Sequence, residues 1–332
     1  MLEDRQQGVI AGIGSALVDI LIYEEDDFLR KTNAAKGGMM LVDQSFIEKT
    51  LALTSARPVI VPGGSACNTA VGVGKLGGKA RFIGKCGQDD MAALFEEDLK
   101  KNRVQPNLFK SVSPTGRVLS IITPDAQRSM FTFLGASSEM TKDEIGASHF
   151  SDVVIVHLEG YLLFNKELVY AALQRAREAG ARVSLDLASY TVVEESKDVL
   201  HDIVDEFVDI LIANEDEALA FTGHTDEKEA IASLSKKADI AVLKVGEKGS
   251  YVSRQENIVK IEPVTGQGPV VDTTGAGDLW ASGFLYGLAN GYPLDVCGKI
   301  GSACGYEVCQ VIGADIPDEG WKRIKRLISS NM

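Results

Sequence analysis

Histidine and cysteine are scarce in this chain of 332 residues, with four of the first and five of the second. Cys67, Cys86, Cys297, Cys304 and Cys309 are odd in number, scattered and without a CxxC pair, which argues against a zinc site and for reduced thiols in the core. Long apolar runs are missing too. None approaches the roughly 18 to 20 residues that cross a bilayer, and the charged start MLEDRQQGVI is unlike a signal peptide. A cytoplasmic protein with no membrane partner is expected. Positive charge is in deficit: the formal net charge is −13 and no basic stripe interrupts it, so a nucleic-acid backbone would be repelled. A small anion is not excluded, because backbone amides at a helix N-terminus bind phosphate without a basic side chain. The P-loop pattern GxxxxGK[ST] is absent, so any phosphate cradle must be built another way. There is also no linker, internal repeat or low-complexity tract.

Apolar residues make up 45% of the chain, enough for one large α/β domain spanning 1–332, with or without a small appendage. From about residue 150 to 255, β-branched runs (VVIVHLEG, ARVSLDL, DILIA, IAVLKVG) alternate with amphipathic stretches such as ELVYAALQRAREAG. That rhythm predicts a mainly parallel sheet with crossover helices, and such sheets bind ligands at the carboxyl ends of their strands. The first 135 residues instead carry alternating patterns and a hairpin-like PTGRVLSIITPDAQRSMFTFLGA. They predict a small β-sheet lid built from two excursions, about 15–60 and 112–135, folded over the strand ends.

The segment with the most chemistry in it is VVDTTGAGDLWASGFLYGLANG, residues 270–291. A short strand, Val270-Val271, is expected to run into the turn Gly275-Ala276-Gly277-Asp278 and then a helix. Small residues leave the turn's N–H groups unobstructed, and the helix start adds partial positive charge. At the mouth of this anion cradle Asp278 would take the proton of an attacking hydroxyl while the amides stabilise the transferring phosphoryl group. The plainer alternative is that Asp278 caps the helix, as Asp often does. Gly72-Val73-Gly74-Lys75-Leu76-Gly77 fits the dinucleotide fingerprint GxGxxG, yet it falls inside a predicted helix instead of a strand-to-helix turn.

Two long motifs about 200 residues apart, Gly63-Gly64-Ser65-Ala66-Cys67-Asn68 leading to Gly84-Lys85-Cys86-Gly87-Gln88-Asp89, and then DTTGAGD, closely resemble the two signatures of the ribokinase-like (PfkB) sugar and nucleoside kinases. The resemblance covers essentially the whole chain. It implies a three-layer α/β/α sandwich with a lid, use of ATP and Mg²⁺, and Asp278 as catalytic base beside an anion hole of Gly275, Ala276 and Gly277. It implies substrate contacts from Asp19, Gly63, Gly64 and Asn68, although Ser15 stands where the family often has asparagine. Asn214-Glu215-Asp216-Glu217 matches the family's Asn-x-x-Glu motif, which organises magnesium largely through water; Asn214 with Glu217 also reads as a capping box. Lys244, Gly246 and Gly249 match the nucleotide-side loop, though a plain turn explains the glycines equally well. Thr274 is expected near ATP, and Asp272, with carbonyls around Val308 to Gly313, near a monovalent cation such as K⁺.

KGGMMLVD and the hairpin look most like bacterial adenosine-kinase-like members. Met39, Met40, Phe131 and Phe133 are expected to wall the substrate, with Tyr161 stacked on a base; ordinary core packing accounts for them as well. Arg117 and Arg128 are candidates to steady phosphate or substrate. The expected acceptor is a nucleoside, adenosine first, with a free sugar such as ribose or fructose as the alternative. An exposed apolar lid face would support a homodimer. A ligand sensor that kept the fold and lost turnover is the reading from another class, and the intact Asn214, Glu217, Gly275, Gly277 and Asp278 count against it.

Overall fold

The computed structural model describes residues 8–125, 127–255, 257–264, 266, 268 and 270–330. The charged stretch 1–7 and Ala126, at the tip of the expected hairpin, lie outside the described residues. Among the described residues the strands are β1 (Val9–Ile13), β2 (Leu17–Tyr23), β3 (Met39–Leu41), β4 (Val59–Gly63), β5 (Ala80–Cys86), β6 (Val104–Lys110), β7 (Gly116–Ile122), β8 (Arg128–Phe133), β9 (Val153–Glu159), β10 (Arg182–Asp186), β11 (Ile210–Asn214), β12 (Ile240–Lys244), β13 (Ser250–Arg254) and β14 (Asn257–Ile261). They form two sheets.

The larger sheet has the order β14-β13-β12-β11-β10-β9-β1-β5-β6 and is parallel from β12 through β6. Only the β12–β13 and β13–β14 pairings, at one edge, are antiparallel. Strands such as Ile210–Asn214 and Ile240–Lys244 are apolar almost throughout because helices cover both faces. Alternate residues feed two cores: Leu211, Ala213, Ala241 and Leu243 join helices Lys166–Glu178, Lys197–Phe207 and Glu227–Leu234. Ile210, Ile212, Ile240 and Val242 join helices Ser65–Leu76, Asp90–Lys101, Ala276–Ala289 and Leu294–Val308. Each fully buried Ile or Leu contributes about 1.5–3 kcal/mol. The predicted three-layer sandwich is therefore present. No helix among the described residues is long and apolar enough to cross a membrane.

The GxGxxG segment lies within the helix Ser65–Leu76, which ends at Gly77 with φ +98°. A methyl on Gly72 would stand 2.3 Å from Ser282 Oγ, and one on Gly74 would stand 2.1 Å from the Asn102 carbonyl. These glycines serve close helix packing, and no dinucleotide turn exists there. Val270-Val271 forms no strand: Val270 is 69% exposed and Val271 N–H donates to the Cys309 carbonyl at 2.8 Å.

The smaller sheet has the order β3-β8-β7-β2-β4, and the β7–β8 hairpin is antiparallel as its sequence predicts. Its two faces differ in kind. Ile20, Ile22, Leu119, Ile121 and Phe131 pack under helices Asp26–Thr32 and Gln44–Leu51, with Phe131 edge-on to Phe46 at 4.7 Å between ring centres. The opposite face is set by register: Asp19 lies beside Val61 and Val118, Leu21 beside Val59 and Ser120, Ser120 beside Met130, and Met130 beside Met39. Phe131 and Phe133 accordingly belong to the lid's own core and do not wall a substrate. Met40, one residue from Met39, shares their side.

Candidate active site

The carboxyl ends of β1, β9, β10, β11 and β12 converge under the lid, bringing together Ser15, Glu159, Asp186, Asn214 and Lys244. Facing them is the first turn of the helix Ala276–Ala289, capped by Gly275 at φ +71°; a methyl there would stand 2.6 Å from Ala314 Cβ, so the turn needs glycine for both conformation and space. Asp278 sits in that first turn. Ser65 Oγ donates to its Oδ1 at 2.7 Å, Asn68 Nδ2 to its Oδ2 at 2.9 Å, and Thr69 Oγ1 to its carbonyl at 3.1 Å. Burial raises the Asp278 pKa, against the lowering effect of Asn68 and Ser65. The side chain does not cap its own helix; both its oxygens are held by residues from the other signature motif. Asn68, expected to grip the acceptor, spends its amide on Asp278.

Asp19 projects from β2 onto the inner lid face. Burial pushes its pKa up to about 6, with the Arg128 guanidinium opposing and the Asp278 charge adding to the rise. Gly63 gives it room, since a methyl there would stand 2.7 Å from Asp19 Oδ2, while one on Gly64, at φ +96°, would stand 2.4 Å from the Ser15 carbonyl. The stretch Gly84–Asp89 joins lid to main sheet, since Asp89 accepts from Thr115 N (2.9 Å), Thr115 Oγ1 (2.6 Å) and Ala92 N (3.0 Å).

Glu159, at the end of β9, is a site residue that the sequence reading passed over. Its carboxylate accepts Ser15 N–H at 2.8 Å and Ala66 N–H at 3.0 Å, tying the β1 exit to the start of the helix that holds Asp278. Burial pushes its pKa up to about 7, against those two donors. Its signal in the sequence was a carboxylate closing an otherwise apolar parallel strand. Ser65 was quoted inside its motif but given no role. Tyr161 follows two residues after Glu159, partly exposed, its pKa raised to about 12 by burial and then by Glu159 and Asp278.

Asn214 and Glu217 do form a capping box: Asn214 Oδ1 accepts Glu217 N–H at 2.9 Å, and Glu217 accepts Asn214 N–H at 2.8 Å and Asn214 Nδ2 at 2.7 Å. Burial and then Asp186 raise the Glu217 pKa. Oxygens already holding these hydrogen bonds suit a hard ion through its waters better than direct ligation, and no group of three or more metal-binding side chains converges among the described residues. Asp272 is likewise engaged, accepting Thr274 N (3.0 Å), Thr274 Oγ1 (2.8 Å) and Gly313 N (2.9 Å), which braces the anion loop against the 309–313 turn. Gly246 (φ +53°) and Gly249 (φ +95°) make the turn between β12 and β13. Arg128 reaches from the lid to Thr274 Oγ1, leaving its buried Nε and Nη2 without partners; Arg117 lies 4.0 Å from Asp89.

A half-buried carboxylate at a helix start, roofed by a lid with a second carboxylate, defines a site for moving a phosphoryl group onto a small hydroxylated acceptor. The profile of the pfkB family carbohydrate kinases matches residues 31–320, and the chain belongs to that family of sugar and nucleoside kinases. It is 30% identical over 260 residues to a 5-dehydro-2-deoxygluconokinase from Geobacillus thermodenitrificans, covering 73% of this chain and 76% of that one. Among solved structures, a probable sugar kinase from Rhizobium etli CFN 42 superposes with TM-score 0.89 at 31% identity, over 98% of this chain and 99% of the other. An adenosine kinase from Sinorhizobium meliloti gives 0.88 and 31%, over 97% and 99%.

Proposed function

We propose that this kinase transfers the γ-phosphoryl group of ATP to the hydroxymethyl group of a purine nucleoside, adenosine first. The observation that carries the reaction is Asp278, half-buried in the first turn of the helix and held at both oxygens by Ser65 and Asn68. Asp278 takes the hydroxyl proton as the acceptor oxygen bonds to the γ-phosphorus; the bond to the β-phosphate oxygen breaks and ADP leaves. The amides of Gly275 and Gly277, joined by that of Ala276 once it gives up the Thr273 carbonyl to which it donates at 3.1 Å, receive the charge that builds on the phosphoryl oxygens. Asp19 accepts hydrogen bonds from acceptor hydroxyls. Asn214 and Glu217 would hold Mg²⁺ through its waters, and the ion would supply positive charge to offset that of the phosphates. The acidic turn at Asp272 and Thr274 is where K⁺ would act. The nucleoside choice is supported by the inner lid face, where Leu21, Val59, Val61, Met39 and Met130 replace the expected phenylalanines as an apolar wall.

A sugar acid is the second reading. The buried, unpartnered Nε and Nη2 of Arg128, beside Asp19, would pair with a carboxylate. ADP release with Mg-ATP across adenosine, inosine, ribose, fructose and a 5-keto-2-deoxyaldonate decides between them, with Asp278→Asn expected to lose roughly 10²–10⁴-fold. Turnover of the acid alone would remove the nucleoside. The homodimer would cover the exposed Met40 and Ile60 at the lid edges, which sedimentation tests.

A further inference from the structure

Lys244 closes β12, the last strand of the parallel run, beside antiparallel β13. Its ammonium passes over the end of β11 and donates to Asp186 Oδ2 at 2.9 Å, at the end of β10; among the described residues this is its one hydrogen bond. On its other side it meets the phosphate cradle. A methyl on Gly277 would stand 3.0 Å from Nζ, so the ammonium lies against the first turn of the helix that carries Asp278. Three carboxylates act on it, those of Asp186, Glu217 and Asp278. A phosphoryl group entering this corner would meet three acidic side chains and one cation.

Bracing alone does not require that position. A lysine pairing with Asp186 to pin two strand ends has no need to touch Gly277, whereas one that serves the cradle must. An ammonium has three donors on a flexible stem, so it can keep Asp186 and still turn a second donor to an arriving oxygen.

We propose that Lys244 is a catalytic residue of the transfer, and that Asp186 is the positioning residue that aims it. The ammonium binds a non-bridging oxygen of the transferring phosphoryl group, opposite the amides of Gly275 to Gly277, so the anion hole is part backbone and part side chain. Lys244 gives up no proton and forms no covalent bond; the hydroxyl proton goes to Asp278 and the leaving group is ADP. This role rests on the reaction read above but not on which acceptor is used.

The test compares wild type, Lys244→Met, Lys244→Arg, Asp186→Asn and the double variant Lys244→Met/Asp186→Asn, which removes the stranded charge that would threaten folding of Lys244→Met. Each is melted, assayed for ADP release with the best acceptor of the panel, and titrated with Mg-ADP with and without fluoroaluminate, a planar mimic of the transferring group. A folded double variant should lose roughly 10²–10³-fold in kcat, the cost of one anion-hole donor, with the acceptor KM within about threefold, and should lose most of the preference for Mg-ADP-fluoroaluminate over Mg-ADP. Asp186→Asn should fall by about tenfold in kcat with KM retained, since it misaims the ammonium without removing it, and Lys244→Arg should recover part of the preference. A folded double variant with kcat within about threefold of wild type, or with the fluoroaluminate preference intact, overturns the proposal. If no acceptor is turned over by wild type, the acceptor reading falls, and the fluoroaluminate titration still decides Lys244.

Discussion

Removing the Ser65 hydroxyl should shift the pH at which the enzyme becomes active, without abolishing it. Ser65 Oγ donates to Asp278 Oδ1 at 2.7 Å, and that bond favours the ionised carboxylate while burial disfavours it. A hydrogen bond to a charged group is worth about 1.5–3 kcal/mol. Asp278 retains some exposure, so the lower half of that range applies, and about 1.4 kcal/mol corresponds to one pH unit. In Ser65→Ala the acid limb of kcat/KM should therefore move upward by about one unit. Activity well below the limb should drop about tenfold while the alkaline plateau stays within a few-fold of wild type. The assay is ADP release at low acceptor concentration from pH 5 to 9, made with and without Asp19→Asn so that the titration of Asp19 near 6 is removed from the limb, with Asn68→Ala run alongside as the matching loss at Oδ2, 2.9 Å away. A uniform fall in activity at every pH, with the limb unmoved, would show that Ser65 merely packs against the base and would refute the reasoning.

Glu159 should make stability depend on pH in the direction opposite to an ion-paired carboxylate. Its pKa is about 7 in the fold against an ordinary 4.5, so the folded state holds the proton more tightly in that window, and stability falls by about 3 kcal/mol as pH rises from below 4.5 to above 7. Urea titrations of wild type and Glu159→Gln should differ by that slope, and parallel curves would sink the assignment. Asp19, at about 6, should be protonated below that pH and then bind acceptor hydroxyls less well, so kcat/KM for the acceptor should decline there while the ATP KM holds; Asp19→Asn should cost about 10- to 100-fold in acceptor kcat/KM, in line with hydrogen bonds to a charged group. Gly72→Ala places a methyl 2.3 Å from Ser282 Oγ and 3.0 Å from Leu279 Cδ1. Overpacking of about 1–3 kcal/mol should outweigh the roughly 1 kcal/mol gained in helix propensity, and the melting temperature should fall; a rise would mean that the two helices separate without cost.

Much of the fold and the centre of the site were legible because they rest on local chemistry. The parallel sheet follows from apolar runs such as ILIA and IAVL alternating with amphipathic stretches, since a strand covered on both faces has no polar positions to spare. Gly275 marks the anion turn because a left-handed cap at φ +71° favours glycine, and Asn214 with Glu217 carries the capping box within four residues. The lid hairpin was legible for the same reason. Which of its faces meets the substrate was not, because alternation separates Phe131 from Met130 but the choice depends on where helices Asp26–Thr32 and Gln44–Leu51 come to rest. Partners were equally hidden. That Asp278 spends its oxygens on Ser65 and Asn68, that Glu159 ties Ser15 to Ala66, and that the Lys244 ammonium settles between Asp186 and Gly277 are matters of long-range packing. Residue type and spacing set what each group is able to do, whereas buried polar groups take whichever partners folding brings within reach, and those partners lie up to 213 residues away along the chain.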